Sequence, residues 1–117
     1  MEENAVRAKS FAFALHIMEV YRKLARQKEF VISRQLLRAG TSVGANIEEA
    51  LAAESRKDFV HKMAIASKEA RETLYWLRLL QASGWVKLDL EKSLKLSDEL
   101  VKLLTAIVKT TGRVPSN

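Results

Sequence analysis

The sequence predicts an all-α fold, an up-and-down antiparallel four-helix bundle, from three observations. One proline and four glycines in 117 residues are too few for the turns of a small β protein, whereas Ala, Leu, Lys, Glu and Arg are abundant and favour helices. Apolar residues recur at three- and four-residue steps in four long segments, the period of a helix face. Those segments are joined by short connections with no Ser/Pro-rich linker, repeat or low-complexity stretch, so consecutive helices should lie antiparallel. A hydrophobic content of 48% supplies one modest core, and residues 1–117 form a single domain.

The first helix spans about Asn4 to Gln27. Placing residues at about 100° each gathers Phe11, Phe13, Leu15, Ile17, Met18, Val20, Tyr21 and Leu24 over roughly 200° of arc, wider than one buried stripe. The remaining arc holds His16, Glu19, Arg22, Lys23 and Arg26, a mostly basic ridge. A break at Gln27-Lys28-Glu29 precedes the second helix, about Phe30 to Leu51, with Ile32, Leu36, Ala39, Val43, Ile47 and Ala50 along its apolar face. Ser55 can cap the third helix through the amide of Asp58, whose charge favours the positive helix end. Phe59, Met63, Ala66, Ala70, Leu74 and Leu77 form its stripe, and Gly84 suits a left-handed C-terminal cap. The fourth helix starts near Asp89 and carries Leu90, Leu94, Leu100, Val101, Leu104, Ile107 and Val108, with Gly112 and Pro115 ending it.

The composition excludes several classes of function. Without cysteine, disulfides and thiolate metal sites are impossible, and a reducing cytoplasm is the expected location. A di-iron bundle needs two Glu-x-x-His motifs and two further glutamates. This chain offers only Asp58-x-x-His61, while Phe13 stands three residues before His16, so no metal or other cofactor is expected. No apolar run approaches the ~18 residues of a membrane span, and the acidic start MEENAV is unlike a secretory signal. Nucleophilic catalysis has no support in the spacing of Ser, His and acidic residues. Twenty Lys+Arg against fourteen Asp+Glu give a net charge of +6, which permits attraction to nucleic acid or acidic surfaces.

The stretch RAGTSVGANIEEA, Arg38 to Ala50, looks at first like a phosphate loop. No strand precedes it and no GK[ST] follows, so backbone amides would not be free to bind phosphate. In a helix, Gly40 and Gly44 share one face with Val43 and Ile47. Losing their side chains makes a groove into which a neighbouring helix can press, against a propensity cost of about 1 kcal/mol per glycine. Asn46 lies at the groove's edge in line with Gln35, Ser42 and Glu49, and the spacing leaves two readings open: hydrogen bonds across to another helix, or plain solvation. Glu48 and Glu49 diverge by about 100° and cannot easily share one ion.

Two surpluses remain. Ile65, Trp76 and Leu79 fall roughly opposite Phe59 and Leu77 on the third helix at about 100° per residue. A small bundle buries one side of each helix, so this second stripe points to homo-oligomerisation; the alternative is that Trp76 and Trp85 cover the bundle's end. The basic residues also group: Arg22, Lys23 and Arg26 on the first helix, Arg34 and Arg38 on the second, Arg56, Lys57 and Lys62 opening the third. They offer either a phosphate-contacting surface or an ordinary solvated face, since Glu48 and Glu72 are interspersed. No base-reading motif is visible, so any binding should be backbone-directed and salt-sensitive.

The segment TSVGANIEEALAAESRKDFVHKMAIASKEARETLYWLRLL, Thr41 to Leu80, resembles the four-helix-bundle family that includes proteins encoded in intervening sequences of bacterial 23S rRNA genes. Its most specific part is Ser42-Val43-x-x-Asn46-Ile47-x-Glu49 followed by Ser55-x-x-Asp58-Phe59. The resemblance implies an up-and-down bundle assembled as a homopentamer. The sequence is also similar to the accessory variability determinant proteins of diversity-generating retroelements, which implies nucleic acid and a reverse transcriptase as partners. Ala50 and Ala53-Glu54 depart from the family's common glycine and basic residues at those places. The resemblance implies no catalytic residue.

Two functions are therefore expected to compete: a non-enzymatic oligomeric scaffold or adaptor that binds RNA or DNA phosphates through its basic helix faces, and a protein–protein interaction module whose basic face is incidental.

Overall fold

The computed structural model describes residues 2–113, and among them every regular element is helical: α1 (Glu2–Arg26), α2 (Val31–Leu51), α3 (Arg56–Ser83) and α4 (Glu91–Arg113). Local chemistry sets each boundary. At the end of α1, Glu29 N donates to Leu24 O at 3.0 Å and Lys28 N to Ala25 O at 2.9 Å. This is the paired closure of a Schellman turn, and Lys28 takes its left-handed position with φ 64°. The next residue, Glu29, caps α2 from outside it. The Glu29 carboxylate accepts from the amides of Val31 and Ile32 at 3.0 Å and of Ser33 at 2.6 Å, while Ser33 Oγ donates back to Glu29 O at 2.7 Å. Three of the otherwise unpartnered first-turn donors are thereby satisfied by one buried side chain.

Ser55 Oγ caps α3 by accepting from Asp58 N at 3.1 Å, and Gly84 closes that helix at φ 68°. Asp89 Oδ1 receives Glu91 N at 3.0 Å at the start of α4. The fourth helix does not stop at Gly112 as the sequence predicts; it continues to Arg113. Gly112 lacks the positive φ that Gly84 has, so it is a helical glycine and not a cap. Pro115 lies outside the described residues.

Packing is organised as two apolar clusters along a molecule of 52 × 22 × 21 Å. One joins Val6, Val43, Ile47, Ala50, Met63, Ala66, Ala70, Leu104 and Ile107; the other joins Phe13, Ile17, Val20, Leu24, Leu36, Leu77, Leu80, Leu90 and Leu100. Helix α2 packs on both α1 and α3, α4 packs on α3, and the α1–α4 seam is the sparsest. No helix among the described residues is long and apolar enough to cross a membrane.

Candidate functional site

The connections α1–α2 and α3–α4 are clasped together by one side chain. Gln27 Nε2 donates to Lys87 O at 2.8 Å, and Gln27 Oε1 accepts from Lys87 N at 2.8 Å. The clasp brings Arg26 and Lys28, which flank Gln27, beside Lys87. The first turn of α2 adds Arg34, whose guanidinium lies 5.8 Å from the centroid of the Phe30 ring, within cation–π range. Glu29, the acid beside Lys28, is buried and engaged with the α2 amides, which leaves the exposed Asp89, two residues from Lys87, as the acid facing four cations. This end of the molecule is therefore basic, and it is also aromatic: Phe30 is 42% exposed and Trp85 69%. Trp85 borders a hollow of about 130 Å³ with Ile32, Leu79, Leu80 and Ser83.

The other basic candidates do not all join this end. Lys23 is exposed near it, and Arg22 pairs with Glu19 at 3.3 Å. Arg38 is held across to α3, with Glu69 at 3.2 Å and with Glu72. Arg56, Lys57 and Lys62 open α3, beyond the far end of α2 from Arg34. At 1.5 Å per residue, the stretch of α2 from Arg34 to Leu51 spans roughly 25 Å. Arg56, Lys57 and Lys62 thus lie apart from the clasped end.

Within α2, the small residues face α1. A Cβ built on Gly40 would stand 2.8 Å from Ile17 Cγ2 and 2.9 Å from Ile17 Cγ1; one on Gly44 would meet Ser10 O at an ordinary 3.5 Å. Val43 and Ile47 are fully buried beside them. Asn46 turns its amide onto its own helix, donating to Ser42 O at 2.9 Å and Oγ at 3.1 Å. The crossing to α3 is made by Ser42 Oγ, which donates to Glu69 Oε2 at 3.2 Å, and by Arg38. Glu49 is exposed. Glu69 and Glu72 escape sequence reasoning because their partners lie on another helix, out of reach of any local spacing rule.

On α3, Ile65 and Trp76 are half-buried and Leu79 is 39% exposed. Trp76 packs on the second apolar cluster with its indole Nε1 buried and without an acceptor. A more exposed apolar stripe lies on α1, where Phe11, Leu15 and Met18 are 66%, 54% and 49% exposed. The wide arc read from the sequence divides here, with Phe13, Ile17, Val20 and Leu24 inside.

Along the α1–α4 seam, His16 Nε2 and Ser93 Oγ share a 2.7 Å hydrogen bond above a cleft of about 280 Å³ lined by Lys9, Phe13, His16, Lys92, Leu96 and Glu99 among others. Burial, then the charges of Lys92 and Lys23, hold the His16 pKa below its usual value, which favours the neutral ring. His16 sits in mid-helix on α1, whereas Ser93 is the third residue of α4, in its first turn. No group of three or more His, Cys, Asp or Glu residues able to hold a metal occurs among the described residues.

The model of the family described as 23S rRNA-intervening sequence protein matches residues 2–106. No curated protein matches the chain. Among solved structures, the chain is similar to a protein of unknown function from the S23 ribosomal protein family of Bacteroides thetaiotaomicron. The two share 49% identity and a TM-score of 0.87, over 93% of this chain and 99% of that one. A match over most of the length, supported by a relative of nearly half-identical sequence and the same helical fold, makes this chain a member of the 23S rRNA-intervening sequence protein family.

Proposed function

We propose that the protein is a non-enzymatic, oligomeric adaptor of the 23S rRNA-intervening sequence type that associates with RNA or DNA backbones through basic helix faces. The observation that carries this reading is the clasped end, where Arg26, Lys28, Arg34 and Lys87 gather while Glu29 is turned into the helix cap. Contacts of that kind neutralise phosphates without reading bases. The four helices are taken to run up and down, since connections of a few residues join helices that pack on each other, and the chain is taken to be cytoplasmic. Assembly as a homopentamer accounts for the exposed apolar side chains of α1 and α3, with a reverse transcriptase as one class of protein partner.

Anisotropy of a labelled RNA across a salt series tests the nucleic-acid part. Affinity is expected to fall steeply and linearly in log–log form with salt, and neutralising Arg26, Lys28 and Arg34 together should weaken binding for any sequence. Absence of binding at low ionic strength overturns it. The second reading, a protein–protein interaction module with no nucleic-acid role, is favoured by the Phe11–Leu15–Met18 stripe. A partner that is retained after nuclease treatment and lost on polar substitution of that stripe supports it.

A further inference from the structure

Trp85 is the most exposed aromatic of the clasped end, and nothing in the fold requires it there. Its backbone N–H donates to Ser83 Oγ at 3.1 Å, which any residue except proline provides, while 69% of the residue is open to solvent. Its ring borders the apolar hollow of about 130 Å³ floored by Ile32, Leu79 and Leu80, room for one planar ring. Ser83 Oγ, the polar atom on the hollow's edge, already donates to Leu80 O at 2.8 Å. Two residues along the chain, Lys87 is clasped to Gln27 beside Arg26 and Lys28. Phe30, under Arg34, adds a second exposed ring at the start of α2.

Exposed rings set among cations, beside an apolar hollow whose Ser83 hydroxyl is already engaged, match one ligand chemistry: unpaired bases that stack while their backbone runs along the positive charge. A duplex hides those base faces and presents only phosphates and groove edges. We propose that the Trp85 end is a stacking site for single-stranded nucleic acid, sequence-tolerant, with Trp85 as the platform and Arg34, Lys28 and Lys87 along the backbone path. The proposal rests on the nucleic-acid reading above and narrows it to single strands.

The test is anisotropy of a fluorescein-labelled uridine dodecamer and of its duplex with the adenosine dodecamer, at one low salt concentration, for the wild type, Trp85→Ala and Trp85→Phe. The single strand is expected to bind more tightly than the duplex. Trp85→Ala should weaken it about tenfold, within the range for losing one base–aromatic stack, and leave the duplex unchanged, while Trp85→Phe keeps most of the affinity. Equal binding of both forms, unaffected by Trp85→Ala, overturns the stacking site and leaves the adaptor reading intact; no binding of either form overturns both. Acrylamide quenching that falls with protein concentration alone, and is lost in Trp85→Ala, assigns Trp85 to a protein contact and also overturns the proposal.

Discussion

Gly40 and Gly44 are equivalent to any rule that counts spacing, yet their surroundings differ. At Gly40 the first atoms met are the branched carbons of Ile17, 2.8 and 2.9 Å from a built Cβ, while at Gly44 the nearest atom is Ser10 O at 3.5 Å. Ile17 is fully buried and has little room to move, so Gly40→Ala should destabilise by about 1–3 kcal/mol through overpacking. Gly44→Ala should be neutral or stabilise by up to about 1 kcal/mol from helix propensity. Urea unfolding midpoints of the two variants check this contrast, and equal midpoints contradict it. His16 gives a second residue-scale prediction. Its pKa is lowered from 6.5 by burial and by Lys92 of α4 and Lys23 of α1, so the unfolded chain binds a proton more readily than the folded one. Its stabilising contribution is full above pH 6.5 and is lost as the pH falls through the lower folded value. The unfolding midpoint should decline between pH 7.5 and 5 more steeply in the wild type than in His16→Gln. Parallel curves would mean that the His16–Ser93 bond does not sense protonation. The sequence placed His16 on a basic ridge but gave no sign of Ser93, because 77 residues separate the pair and only the packing of α4 on α1 brings them together.

At the scale of the element, helix starts and stops were legible wherever a local code exists. Ser55 with Asp58 and Gly84 bound α3 as their residue types predict. Gly112 stands one residue inside the end of α4 and, without a positive φ, is a helical glycine and not a cap. The α1–α2 corner was visible only as a break in the pattern: Glu29 closes one helix through its N–H and opens the next through its carboxylate, a double role that no single capping rule contains. The α2–α3 contact was read as small residues and a polar edge, but its charged part required the fold. Arg38 meets Glu69, whose side chain is 14% exposed, and Glu72. Arg38→Ala leaves those carboxylates without their cation and should cost about 1–3 kcal/mol, as for a partly buried charged hydrogen bond. Because the guanidinium is already paired, the same variant should change RNA affinity far less than Arg34→Ala. Denaturant unfolding and anisotropy together separate the two effects, and a large loss of affinity with unchanged stability would place Arg38 on the binding face instead.

For the whole molecule, the question is which apolar surface a second chain would cover. The all-α, four-helix plan followed from composition and period, but the choice among faces did not, because a 200°-wide arc at about 100° per residue does not say which edge turns inward. The fold decides it: Phe13 and Ile17 enter the core, and Phe11, Leu15 and Met18 remain outside. Trp76, by contrast, packs on the second cluster, so polar substitutions at Trp76 or Ile65 would lower stability as well as any assembly. Phe11→Ser with Leu15→Ser is the cleaner probe, since both side chains are more than half exposed and contribute little to the isolated fold. If the α1 stripe is the seam between chains, this variant should run as a single chain in size exclusion with light scattering while keeping the wild-type unfolding midpoint extrapolated to low concentration. An apolar seam also persists in high salt, whereas chains bridged by nucleic acid come apart with salt or nuclease. A mass that falls only on nuclease treatment would therefore assign assembly to the basic end. A mass unchanged by every treatment would move the seam to the other exposed apolar group, Val31, Tyr75 and Leu79, on the faces of α2 and α3.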